Sequence, residues 1–241
     1  MFRTIVADAR GAFAFLTVLP VGWPDGARPG RTFAYYPLVG LVIGGIVSAV
    51  ARLDALAPEM VAFLALLAWV ALTGGLHLDG FGDSCDGVLA TVEPERRLEI
   101  MKDPRAGSWA VIGLALLLLG KWIALAEVAP RLLILPPVIG RWAMVLAVAG
   151  FPYARTSGLG GYFRDGFGRA QIAVATLLTL LIAASFGWPA LAVIAVAPVT
   201  VGIVGRWAAG RLGGGLTGDV YGALCELTEL LCLIVLSGLH V

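Results

Sequence analysis

The chain has 241 residues, of which 59% are hydrophobic and 14% charged, and its mean hydropathy is +0.92. A soluble domain charges roughly a quarter of its residues, so this composition excludes a disordered chain and an ordinary soluble enzyme. A spanning helix needs about 20 apolar residues, which leaves room for about seven spans and no large soluble domain. The net charge of +1 gives no reason to expect a nucleic-acid partner. Cys85, Cys225 and Cys232 are odd in number, with no C-x-x-C spacing, which excludes a disulfide framework or zinc finger and suggests buried free thiols.

In chain order, residues 1–20 lack the form of a cleaved signal, because Asp8 and Arg10 interrupt the apolar run and no small-x-small site follows. This segment is expected to form a short helix on or in the membrane face. Apolar runs predict seven spans, at about 33–51, 60–76, 108–129, 132–150, 171–186, 188–204 and 220–238. The fold class is therefore an all-α, polytopic helix bundle forming one domain. With those spans, 13 of the 17 Lys and Arg fall on the side that holds 1–32, 77–107, 151–170 and 205–219. Arg52 and Arg131 alone fall on the other, and Lys121 and Arg141 lie inside spans. The positive-inside rule makes the first side cytoplasmic.

The segment after the second span reads His77-Leu78-Asp79-Gly80-Phe81-Gly82-Asp83-Ser84-Cys85-Asp86-Gly87. At about 100° per residue, Asp79, Asp83 and Asp86 share one helical face. Three such carboxylates repel one another unless cations neutralise them, and Mg²⁺ suits oxygen ligands while leaving positions for phosphate. The alternative is a solvated acidic face, but the flanks are apolar and Gly-rich. His77 is read as an orienting hydrogen-bonder for a nearby carboxylate, with a metal or base role as the alternative.

Lys102, Asp103 and Arg105 form a polar stretch before the third span. Arg141 lies mid-span and needs a carboxylate or a bound anion; Glu127, Glu226 and Glu229 are candidate partners, and substrate is the other. Arg155 opens the next polar loop, while Arg164 and Arg169 read as inside-anchoring charges. The last span opens on Gly213-Gly214-Gly215-Leu216-Thr217-Gly218-Asp219, a turn whose N–H groups could meet a phosphate. Asp219, Gly222, Glu226 and Glu229 then follow on one face. Carboxylates inside an apolar helix are expensive and by default functional. Acids with a metal, plus Arg at a membrane face, point to phosphoryl chemistry.

At these residues the sequence resembles the cobalamin synthase family. The resemblance runs nearly the full length, from Phe15-Leu-Thr-Val-Leu-Pro20 and Tyr36-Pro-Leu-Val-Gly40 through His77-Leu-Asp79-Gly80-x-x-Asp83-x-x-Asp86-Gly87. It continues in Lys102-Asp103-x-Arg105-x-Gly107 and Leu216-Thr217-Gly218-Asp219-x-x-Gly222-Ala-x-x-Glu226-x-x-Glu229. It implies a multi-pass enzyme of the bacterial inner membrane, with its site on the cytoplasmic side and Mg²⁺ as cofactor. The implied substrates are adenosylcobinamide-GDP and α-ribazole or its 5′-phosphate, with GMP released. On this resemblance His77, Asp79, Asp83 and Asp86 are the catalytic candidates, and Asp79, Asp83, Asp86 and Asp219 the metal ligands. Lys102, Asp103, Arg105, Arg141, Arg155, Thr217, Glu226 and Glu229 are the substrate-binding candidates. The sequence departs at Cys85 and Tyr221, neither of which removes a carboxylate. The lipid bilayer is an expected partner; oligomeric state, homo-oligomer included, stays open.

Two other readings compete. A CDP-alcohol phosphatidyltransferase carries D-G-x2-A-R-x8-G-x3-D-x3-D, which fails here because Asp83 and Ser84 stand where Ala and Arg belong. A cation transporter would place its acids near the bilayer midplane. Here Asp79, Asp83, Asp86 and Asp219 are expected at span ends.

Overall fold

The computed structural model describes residues 2–155 and 164–239. His240 and residues 156–163 of the expected loop 151–170 lie outside the described residues. The described chain is helical: α1 (Phe2–Leu16), α2 (Pro29–Val50), α3 (Pro58–Thr73), α4 (Leu76–Leu89) and α5 (Pro94–Ile100), then α6 (Ser108–Glu127), α7 (Pro130–Gly150), α8 (Arg169–Ala184), α9 (Trp188–Arg211) and α10 (Gly218–Ser237). Several begin with Pro in the first turn, where its missing N–H costs nothing.

Among the described residues five helices, α2, α6, α7, α9 and α10, are long and apolar enough to cross a bilayer. The seven expected spans are thus corrected in two places. The run 60–76 is not one straight span: α3 stops at Thr73, and α4 leaves at 89° to it, so the two pass only as a bent pair, a sixth crossing at most. The cause is Gly74-Gly75, both at positive φ (60° and 70°). Gly74 and Gly75 donate their N–H groups to Ala71 O and Val70 O, closing α3 with a left-handed cap that β-carbons would strain. The run 171–186 forms α8, an apolar helix of 16 residues that is shorter than the usual span.

The last helix is the hub: α10 packs against α4, α6 and α7, and α7 in turn against α2. Tyr36, Ile43, Leu133, Ile139, Leu224 and Leu233 are fully buried between them. By contrast α6 exposes Val111, Ile112, Leu116, Leu119 and Ile123 along one stripe. In water such a stripe would forfeit about 25 cal/mol per Å² of apolar surface; against lipid it forfeits nothing. α1 carries Asp8, which is buried and paired with Arg31 at 2.8 Å, tying this helix to the start of α2. The free thiols of Cys225 and Cys232 are buried and that of Cys85 half-buried, as their number and spacing suggested.

Candidate active site

The Gly-Gly bend sets the site. It starts α4 at Leu76, so that His77 and Asp79 fall in the first turn of a new helix instead of at the end of an old one. α4 then crosses the first turn of α10 closely enough that only glycine fits. A β-carbon on Gly80 would stand 2.9 Å from the carbonyl oxygen of Asp219, and one on Gly222 would stand 3.3 Å from Cα of His77. The sequence's two acidic motifs therefore meet, and the N-termini of two long helices converge. Helix N-termini carry partial positive charge and unpaired N–H groups, which favour an anion.

A cavity of about 430 Å³ opens at this crossing. Its lining combines polar residues, His77, Asp79, Asp219, Lys102, Arg155 and Arg164, with aromatic ones, Phe15, Phe33, Tyr36, Tyr153 and Tyr221. Arg155 reaches the cavity because residues 152–154 pair with Leu216 as a short parallel bridge: Leu216 N–H donates to Pro152 O and Ala154 N–H to Leu216 O, both at 2.9 Å. Its Nη2 then donates to Asp219 Oδ2 at 3.0 Å. Arg164 holds the end of α7 by donating to Val148 O and Phe151 O. It is more than an anchoring charge, since it also lines the cavity.

The three acids of α4 have different surroundings. Asp79 is exposed on the cavity wall. Asp83 is half-buried a turn further on, where the charges of Asp219, Asp79 and Asp86 act against its own and Arg155 partly offsets them. Asp86 is engaged elsewhere: Gly107 N–H donates to its Oδ2 at 2.6 Å and Ala110 N–H to its Oδ1 at 2.9 Å. It caps the N-terminus of α6, whose own N-cap is a glycine without a side chain. The other end of α4 is held by cations: Arg97 donates to Gly87 O and Val88 O, and Arg211 to Val88 O and Ala90 O. Among the described residues, no three His, Cys, Asp or Glu side chains are grouped so as to hold a metal ion.

The other candidates divide. Lys102 lines the cavity, but Asp103 and Arg105 pair with each other in the exposed loop beside it, at 2.7 and 2.9 Å. Hydrogen bonds from Arg105 hold the Asp103 carboxyl down at about 2. Thr217 is fully buried and caps α10, its Oγ1 accepting the Val220 N–H at 3.4 Å. Glu226, Glu229 and Arg141 are buried in the bundle core and paired with protein, the alternative the sequence offered for Arg141, and are not among the residues lining the cavity. Lys121 on α6 donates to Glu226 Oε2 at 2.5 Å and also to Glu229, while its Nζ lies 4.5 Å from the Trp69 ring centre. Glu229 also accepts from Arg141. Two cations and two anions cancel, which is the arrangement that low-dielectric burial demands. This chain reaches the cavity at one point, where Arg141 Nη2 lies 3.5 Å from His77 Nδ1.

Sequence reasoning missed Lys121 as the second cation, Arg164 as a lining residue, the Asp8–Arg31 pair and the whole aromatic lining. Lys121 carried a readable signal, as one of only two lysines and one placed mid-run among apolar residues. The aromatic residues come from four separate segments, with only Phe33 and Tyr36 near one another in sequence.

Comparison with known proteins points to one family. The family model described as cobalamin-5-phosphate synthase (CobS) matches residues 8–237. An adenosylcobinamide-GDP ribazoletransferase from Pseudomonas savastanoi pv. phaseolicola is 43% identical over 239 residues, covering 94% of this chain and 97% of that protein. A protein of the same name from Roseiflexus sp. is 41% identical, covering 94% and 87%, and one from Deinococcus radiodurans is 40% identical, covering 92% and 82%. No solved structure matches the chain. A family match from residue 8 to residue 237, with relatives near 40% identity across nearly all of both sequences, shows that the chain belongs to the cobalamin-5-phosphate synthase family.

Proposed function

We propose that the cavity between α4 and α10 is the active site of an adenosylcobinamide-GDP ribazoletransferase, acting late in cobalamin biosynthesis. The observation that carries this reading is the crossing at Gly80, which brings Asp79 and Asp219 into the lining of one cavity with Lys102 and Arg155. Cations and two helix N-termini there suit a diphosphate, and the aromatic residues suit the flat base of α-ribazole. In the reaction a ribazole hydroxyl attacks the phosphorus on the cobinamide arm. A new O–P bond forms, the bond to the GMP phosphate breaks, and GMP leaves with its electron pair while the hydroxyl proton passes to solvent or to the departing phosphate. The residues position the two partners and neutralise charge.

Mg²⁺ fits this donor set. Mg²⁺ is commonly held by one or two carboxylates and completed by substrate phosphate and water, so a three-acid cage is not required. Asp79 and Asp219 would hold it from the cavity wall, with Asp83 behind them; when bound it would neutralise the diphosphate and the leaving GMP. Asp86 serves as a positioning residue, fixing α4 against α6. Asp103 and Arg105 shape the loop that presents Lys102, and Thr217 fixes the first turn of α10. The site faces the cytoplasm of a bacterial inner membrane. Lys102, Arg155 and Arg164 line it and Arg97 and Arg211 hold the end of α4, whereas Arg52 follows the end of α2 and Arg131 sits in the first turn of α7.

The test is GMP release from adenosylcobinamide-GDP by protein in liposomes, with and without α-ribazole and Mg²⁺. Release that requires both is expected. Release of CMP from a CDP-alcohol, with none of GMP, would overturn the reading.

A further inference from the structure

We propose that the buried chain Glu226–Lys121–Glu229–Arg141 exists to fix the tautomer of His77, so that its Nε2 carries the proton and donates into the cavity. The argument starts at Arg141. Its guanidinium is fully buried and its Nη2 lies 3.5 Å from His77 Nδ1. A guanidinium has only donors, so the ring nitrogen facing it must be an acceptor. The single remaining proton then sits on Nε2. That nitrogen is buried and has no partner among the described residues, although His77 is only 2% exposed. A buried donor calls for an acceptor, and His77 is one of the residues that line the cavity.

Arg141 could turn away from the ring if it were free to choose its partner. Glu229 prevents this by accepting from it, and Glu229 is shared with Lys121, which also holds Glu226. Glu226 and Glu229 lie on α10, Lys121 on α6 and Arg141 on α7, so three helices fix one guanidinium, and that guanidinium fixes one imidazole on a fourth. Arg141 and Glu229 are thus positioning residues. His77 is the group that touches substrate, with Nε2–H directed at a phosphoryl oxygen of the bound diphosphate. This last step rests on the proposed function; the tautomer does not.

The chain has two histidines, His77 and His240, which makes the tautomer directly readable. Protein labelled with ¹⁵N-histidine, carrying His240→Gln and placed in lipid bilayers without substrate, is read by solid-state NMR at neutral pH. One protonated Nε2 and one unprotonated Nδ1 are expected, and Arg141→Met or Glu229→Gln should replace this with a mixture. An Nδ1–H tautomer, an imidazolium or a mixture in the otherwise unaltered protein would overturn the proposal, and that spectrum decides the matter even if the core variants fail to fold. Turnover supplies the second arm. His77→Gln keeps an N–H near the Nε2 position and should hold kcat within about tenfold, whereas His77→Asn should lower kcat by about a hundredfold with a smaller change in KM. Equal losses in the two variants would remove the donor role while leaving the transferase reading to its own GMP assay.

Discussion

Asp79, Asp83 and Asp86 are spaced alike in the sequence and do unlike work in the fold. Asp86 gives both oxygens to the start of α6. Asp86→Ala is therefore expected to cost about 1–2 kcal/mol through the lost cap. At roughly 2–4 °C per kcal/mol for a chain of this size, the melting temperature in detergent should fall by several degrees. An unchanged melting curve would dismiss the capping role. Asp83 stands among like charges, and Asp83→Asn removes repulsion while keeping the shape. Its melting temperature without Mg²⁺ should equal or exceed that of the parent, while turnover falls by at least about a hundredfold. A protein that melts early, or turns over normally at saturating Mg²⁺, would contradict this assignment. The shared face of the three acids was legible from spacing alone. The separate duty of Asp86 was not, because the N–H groups it accepts come from 21 and 24 residues later and depend on how α6 is docked.

At the scale of the helices, the crossing of α4 on α10 decides whether there is one site or two half-sites. Gly80→Ala would place a β-carbon 2.9 Å from the Asp219 carbonyl, against backbone that cannot swing aside. The expected outcome is about 1–3 kcal/mol of lost stability and a wider gap between Asp79 and Asp219, read as a loss of turnover and a raised Mg²⁺ requirement. Normal activity at normal Mg²⁺ would show that the two helices need not touch. The meeting of the two acidic motifs followed from the chemistry they share. The bend that delivers it did not, because the apolar run 60–76 has the composition of a straight span whether or not Gly74 and Gly75 turn it. The deep carboxylates repeat the pattern: Glu226 and Glu229 visibly needed partners, but only packing could choose Lys121 and Arg141 over substrate. Lys121→Met alone leaves Glu226 without its cation and should cost about 3–5 kcal/mol. Adding Glu226→Leu should recover part of that loss, and purely additive melting shifts would show that the charges are independent.

For the whole molecule, the charge count and the contacts agree on which end carries the site. Arg97 and Arg211 grip the end of α4, and Lys102, Arg155 and Arg164 ring the cavity. Glu95 is exposed on α5 at this same end. With Cys225 and Cys232 buried and the half-buried Cys85 replaced by Ser, Glu95→Cys should react with a membrane-impermeant maleimide in inside-out vesicles and stay unlabelled in intact cells. Labelling from the outside would invert the topology. The all-helical, lipid-facing character was legible from composition, whereas the number of full crossings was not, since α3 and α8 are apolar but α3 is bent against α4 and α8 is shorter than the usual span. The neutral four-charge cluster at the centre also constrains how such a sequence can change. No member can be lost singly without stranding a charge in the core, so viable descendants must exchange Lys121, Arg141, Glu226 and Glu229 in oppositely charged pairs. The four positions therefore drift as one heritable unit, although they lie on three helices and span more than a hundred residues of chain.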